Sequence, residues 1–324
     1  MLFMLADGAT LVLVCLAIVG VGGAFQHAPA SALVSSTYEA RRRRGALGLY
    51  NSSGDAGKLL FTASFGVAIG AGVAWSFVTL AFGAAAIAAG AWVLFTLKAR
   101  ATSRQIDGRP PAPGDGAAND DAGKWGIRDA RGFCALLATV FLDSLVQASA
   151  LTFAAFLMLA KGAPLSAATF AATAILVGGM LGKAACGFVA ERLGIRSAFV
   201  VAQLLTGLGL VGAVLAPTAA AYVLLPLLGV VLQGSTSITY GMVNDFVRPQ
   251  KASRGFALVY AASSFSSVAG PVGFGIVGDH YGVEAAMIAM AGFAVLAIAP
   301  FVLFGLGPPS RAGAARNPPN APAK

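Results

Sequence analysis

Residues 182–196 read Gly182-Lys183-Ala-Ala-Cys186-Gly187-Phe-Val-Ala-Glu191-Arg192-Leu-Gly194-Ile-Arg196, a short charged turn between two long apolar runs. A chain has this pattern where it leaves a bilayer and re-enters at once. Small residues at 182 and 187 let helices approach closely, and an acid–base cluster at a helix exit can latch a neighbour. A plain topogenic turn carries the same basic residues, so the rest of the chain has to decide between turn and latch.

Composition places both runs in lipid. Of 324 residues, 57% are hydrophobic and 11% charged, whereas about a quarter of a soluble domain is charged. The net charge of +9 invites a nucleic-acid reading, but its distribution argues against one. Nineteen of the 22 Lys and Arg fall in five places: Arg41–Arg44, Lys98–Arg131, Arg192 with Arg196, Arg248–Arg254, and the tail from Arg311. These places alternate with loops nearly devoid of Lys and Arg, as the positive-inside rule requires of a membrane protein, so no nucleic-acid partner is expected. Cys15, Cys134 and Cys186 lie far apart in apolar runs and read as small core hydrophobes, with no metal-type spacing.

Apolar stretches long enough to cross ~30 Å of hydrocarbon occur at about 11–38, 46–74, 76–97, 132–159, 166–190, 197–216, 219–242, 255–278 and 284–306. Nine spans put the two ends on opposite sides. Pro110-Pro111, Pro113 and Asp120-Asp121 make 98–131 a solvated linker. The Pro/Ala-rich stretch 308–324 is expected to be a disordered tail. Arg44-Gly-Ala-Leu-Gly-Leu-Tyr50 returns as Arg254-Gly-Phe-Ala-Leu-Val-Tyr260, 210 residues on. Both copies follow a basic loop, so the chain contains two repeats in the same orientation.

Gly187, the three residues after it, Glu191-Arg192, Gly194 and Arg196 resemble the loop signature of the major facilitator superfamily of transporters, whose two six-span halves are also parallel repeats. The resemblance implies an all-α polytopic membrane protein with a partial major-facilitator fold of about nine transmembrane helices. On that alignment they are spans 4–12 of a usual twelve, with Met1–Ala6 the end of the third. The alternative cut places one span at 2–24 and a re-entrant piece up to Tyr38. The implied organisation is a partial N-terminal half (1–97), a cytoplasmic linker (98–131), a C-terminal six-helix half (132–307) and a cytoplasmic tail (308–324). Gln26-His27-Ala-Pro29 and Arg43-Arg44-Gly45 through Lys58 also resemble bacterial exporters of the fosmidomycin-resistance type, although Ala28 separates the His from the Pro. That likeness implies efflux across a bacterial-type inner membrane.

Depth picks out the candidate pathway residues. His27 is eleven positions before Tyr38, Asp55 nine past Ala46, and Asp143 eleven past Gly132. At 1.5 Å per residue all three sit near the bilayer centre, where ionisable groups by default line a pathway. In the repeat alignment Asp55 meets Phe265 and Lys58 meets Val268, so the charged pair belongs to one repeat only. Structural readings stand beside each. Asp55 and Lys58 can neutralise one another, His27 can be a packing residue, and Asp143 with Gln147 one turn on can be an interhelical clasp. Gln233 and Tyr240 complete the set. Lys183 is assigned to the loop region, because a lysine near a helix end can snorkel. Gly178 and Gly182 read as a helix contact.

No GxSxG elbow, HExxH or P-loop occurs, so neither an enzyme nor ATP-driven transport by this chain is expected, and no cofactor is implied. The reading is a secondary transporter of a small molecule, working by alternating access on a gradient of protons or another coupling ion. Asp143 is the cleaner proton carrier, and Lys58 and His27 meet an anionic or polar part of the substrate. The alternative is a non-transporting membrane scaffold, receptor or decayed half-transporter.

The charge pattern makes a first prediction. In a variant without native cysteines, Cys at Arg43, Arg109, Arg196 or Lys251 should be protected from an impermeant thiol reagent in intact cells. Cys at Ala163, Pro217 or Gly282 should react. Labelling of position 109 from outside would overturn the orientation.

Overall fold

A computed structural model of the chain describes residues 9–106, 125–168, 170–304 and 306. The expected third-span remnant Met1–Ala6, the linker centre 107–124 and the tail 308–324 lie outside the described residues. The helices are α1 (Ala9–Thr37), α2 (Ala40–Gly70), α3 (Trp75–Ile106), α4 (Ala130–Ala160), the single turn α5 (Leu165–Ala168), α6 (Phe170–Leu193), α7 (Ile195–Leu215) and α8 (Thr218–Tyr240). The turn α9 (Val243–Phe246), a 3₁₀ turn at Pro249–Lys251, α10 (Ala252–Tyr281), α11 (Val283–Leu296) and α12 (Ile298–Leu303) follow. Among the described residues the only bridge between extended segments is the isolated pair Ile127–Val247.

Each of the nine expected spans falls on a helix. Seven helical stretches are long and apolar enough to cross a membrane, from Trp75–Thr96 to Val283–Leu303. The other two, α1 and α2, have 29 and 31 residues, about 44 and 47 Å at 1.5 Å per residue, and are not among those seven. Helix α3 continues to Ile106 and α4 starts at Ala130, so the stretch 98–131 is helical at both of its ends. The cause is local: 98–107 contains no Gly or Pro, and the Asp129 side chain caps α4 by accepting the Gly132 N–H at 3.1 Å. The last span is bent, passing from α11 to α12 at Ala297.

Tight reversals position these rods. Gly194 and Gly282 both have φ near +89°, a conformation that other residues adopt only under strain. They let α6 pass straight into α7 and α10 into α11. At the other end of α4, the Lys161 ammonium donates to Val214 O (2.6 Å) and Ala216 O (2.7 Å), tying that end to the α7–α8 turn. Helices α6 and α8 meet backbone to backbone. A Cβ on Gly178 would strike Pro226, one on Gly182 would strike Val230, and one on Gly229 would strike Ile175. Without a hydrophobic drive between helices in lipid, this close approach supplies the contact.

The C-terminal helices pack in layers along their length. One apolar cluster (Leu145, Phe153, Leu157, Ile175, Leu210, Leu225, Met287, Met290) fills the half remote from the Arg-rich loops. A second (Leu47, Phe133, Leu136, Val140, Phe199, Ile238, Phe256, Phe301) fills the half beside them. Between the two, at mid-depth, lie buried Asp143, Ser144, Gln203, Gln233 and Ser235. Apolar layers bound this polar stratum on both sides, and its groups either bond to one another or face a cavity.

Candidate functional site

The polar stratum opens into a cavity of about 570 Å³ between α1 and α2 on one side and α4, α6, α8 and α10 on the other. This volume is within the range of small-molecule sites. Asp55 is its electrostatic centre. Its carboxylate is 5% exposed and is held by two ammonium groups, Lys58 at 3.0 Å on the same helix and Lys183 at 2.5 Å on α6. The expectation that Lys183 snorkels out of the cavity is therefore corrected. Helix α6 runs to Leu193, three residues past the expected end of the span, which puts Lys183 ten residues, about 15 Å, from that end. The Lys183 ammonium turns to Asp55 in the cavity instead of to the helix end, and its side chain is 12% exposed. The self-neutralising pair is thus a triad that joins α2 to α6.

Aromatic groups form another wall. His27 is exposed to the cavity and stacks on Tyr260 with ring centroids 5.3 Å apart, and Tyr240 meets Tyr260 edge-on at 5.0 Å. Ser31 Oγ and Tyr260 Oη lie 2.8 Å apart and join α1 to α10. Tyr50 and Tyr260, the closing residues of the two repeats, both line the cavity, as do Gln147 and Gln233. The Asn51 side-chain nitrogen, one turn before Asp55, is buried and has no hydrogen-bond partner in the protein.

Asp143 does not line this cavity; it lies behind Gln147. Gln203 Nε2 donates to it at 2.6 Å, Gln147 Nε2 at 2.8 Å, and Ser235 Oγ sits 2.9 Å from both carboxylate oxygens. The three donors come from α7, α4 itself and α8, so the carboxylate ties three helices together.

The loop cluster divides. Gly187 lets α6 approach α2 at Arg44 and Gly45, where a Cβ would strike the backbone. Glu191 Oε1 accepts the Gly45 N–H at 3.3 Å, and Arg44 pairs with Asp245 at 3.2 Å. Arg196 donates to Val302 O at 2.6 Å on α12, and Arg192 is exposed. The expected single acid–base latch is therefore two separate contacts, because residues 191 and 196 leave the turn on different helices. Gly194 supplies the reversal between them. Together with the approach of Gly48 to the Lys183 carbonyl, these contacts bring α2 and α6 backbone to backbone at the Arg-rich end.

Sequence reasoning missed Lys183, Asn51, Gln203 and Tyr260. Two of them carried a signal: Gln203 is a polar residue within the 197–216 span, and Tyr260 closes the second repeat.

A bundle of membrane-length helices around a charged, polar cavity at mid-depth defines a polytopic membrane transporter. The family model described as Major Facilitator Superfamily matches residues 135–323, and the chain belongs to that superfamily. No match to a curated protein was found.

The α2–α6 contact at the Arg-rich end makes a second prediction. In inverted vesicles, Ser263→Cys inside the cavity should label slowly from that end. Gly187→Val and Glu191→Leu should each raise its rate about fivefold or more, the lower range of conformational coupling energies. Arg192→Ala should change little. Unchanged labelling in both of the first two variants would reduce the contact to plain packing.

Proposed function

We propose that the protein is a secondary active transporter that carries a small molecule by alternating access, driven by a proton gradient. The observation that carries this reading is the Asp55–Lys183 pair, buried at mid-depth and bridging α2 to α6 directly beside the cavity. Two helices that must part for access to alternate are joined by charges that a substrate or a proton can compete for. Asp143, reached from the cavity through Gln147, is the proton-carrying group on this reading. The likeness of residues 26–58 to bacterial exporters makes efflux across an inner membrane the first direction to test.

The test is a substrate panel assayed with the full chain in proteoliposomes under an imposed proton gradient. Gradient-dependent accumulation of at least one compound, abolished by a protonophore, is expected. Movement insensitive to the gradient would remove the coupling. No movement of any compound, with the protein inserted, would favour a non-transporting role.

A further inference from the structure

The charged groups of the cavity are already engaged with one another, since Asp55 bonds both Lys58 and Lys183. Gln147 and Thr236, which also line it, bond each other, and Gln147 bonds Asp143 behind the wall. Two amides on opposite walls differ from these. Gln233, on α8, is 5% exposed, lines the cavity, and has no hydrogen-bond partner among the described residues for its amide oxygen or nitrogen. Its stem is fixed against α6, where a Cβ on Gly179 would strike the Gln233 Cβ and Cγ. Asn51, on α2, brings a buried side-chain nitrogen that has no acceptor in the protein. A buried amide left unpaired is costly. Gln233 therefore calls for a donor and an acceptor side by side, and Asn51 for an acceptor. The same helix carries Tyr240 seven residues on, about 10 Å along its axis, where it meets the stacked rings of Tyr260 and His27.

We infer that the cavity takes an uncharged ring compound with an amide-type edge, a carboxamide, lactam or urea whose N–H and C=O lie side by side. Gln233 pairs with that edge as one amide pairs with another: its oxygen accepts the ligand N–H and its nitrogen donates to the ligand C=O. Asn51 donates to a second acceptor of the ligand, and the ring lies toward Tyr240, Tyr260 and His27, where a flat apolar face finds aromatic partners. A carboxylate or an ammonium group satisfies only one half of the Gln233 amide. This inference rests on the transporter reading only in taking the cavity as the substrate site.

The test uses the purified full chain in detergent and a matched panel on benzene and naphthalene skeletons, titrated by calorimetry: the primary carboxamide, the methyl ketone, the carboxylate and the methylammonium form. The ketone keeps the shape and the C=O of the amide and loses its N–H. For at least one skeleton the amide should bind about fivefold or more tighter than the other three, the scale of one net hydrogen bond. Gln233→Met, which keeps the stem against Gly179, should bring the amide-to-ketone ratio to about one. A residue that only packs would weaken both compounds by the same factor and leave that ratio unchanged. An unchanged ratio, ketones or charged forms that bind as tightly as amides on both skeletons, or amides that bind on neither, would overturn the inference. Transport of the same panel in proteoliposomes separates the two readings. Movement of charged forms alone defeats the amide site and spares the transporter, whereas amides that bind and never cross defeat the transporter and spare the amide site.

Discussion

Asp55→Asn should insert in the membrane, lose most of its thermal stability margin and fail to transport. Adding Lys183→Met should then restore stability while transport stays lost. The asymmetry follows from the triad. Removing the carboxylate strands Lys183, which is 12% exposed, whereas Lys58 is 73% exposed and can rehydrate. Breaking a buried pair by deleting one partner costs about 3–5 kcal/mol, and replacing both partners with uncharged groups is often close to neutral. The pair to delete together is therefore 55 with 183. Deleting 55 with 58, the pair that sequence spacing suggests, leaves the deeper ammonium unmatched and should remain unstable. Thermal unfolding in detergent gives the stability order, and initial rates in proteoliposomes give the function. If Asp55→Asn with Lys183→Met transports at the parental rate, the triad is packing and its place in the mechanism is lost.

That contrast marks what the sequence could and could not reveal. Hydropathy reports apolar runs, so a helix at each of the nine expected places, seven of them long and apolar enough to cross a membrane, was readable before any coordinates. An apolar run says nothing about which way a side chain faces around its helix, or which helix stands opposite. Lys58 was visible as a partner of Asp55 because i, i+3 residues share a face of one helix. Lys183 was not, because its contact with Asp55 is made across 128 residues of chain. Its assignment to the loop was wrong because its side chain turns toward Asp55 and lines the cavity. The repeat pairing of Tyr50 with Tyr260 carried real spatial information, as both reach the same cavity. The loop signature predicted contact but not its division, because Glu191 and Arg196 act on helices α2 and α12, whose proximity no local pattern encodes.

Asp143 offers the second large effect, and here clasp and carrier must be told apart. The carboxylate is 3% exposed and bonded by Gln203, Gln147 and Ser235. Asp143→Asn keeps the shape but turns one acceptor into a donor that faces donors. Ser235 can rotate and the glutamine amides can flip, so a loss of about 1–3 kcal/mol of stability is expected whichever role the residue has. Stability therefore decides nothing at this position, and Gln203→Leu supplies the control. It removes the shortest bond of the clasp and leaves the carboxyl group, so it should lower stability to a similar degree while gradient-driven accumulation persists. Asp143→Asn should abolish that accumulation, because an amide cannot carry the proton, yet leave exchange of substrate for substrate intact. The deciding quantity is the ratio of accumulation to exchange, compared between the two variants. Equal ratios in Asp143→Asn and Gln203→Leu, with accumulation still proton-dependent, would make Asp143 a clasp and move the proton to another titratable group that lines the cavity, Asp55 or His27 first.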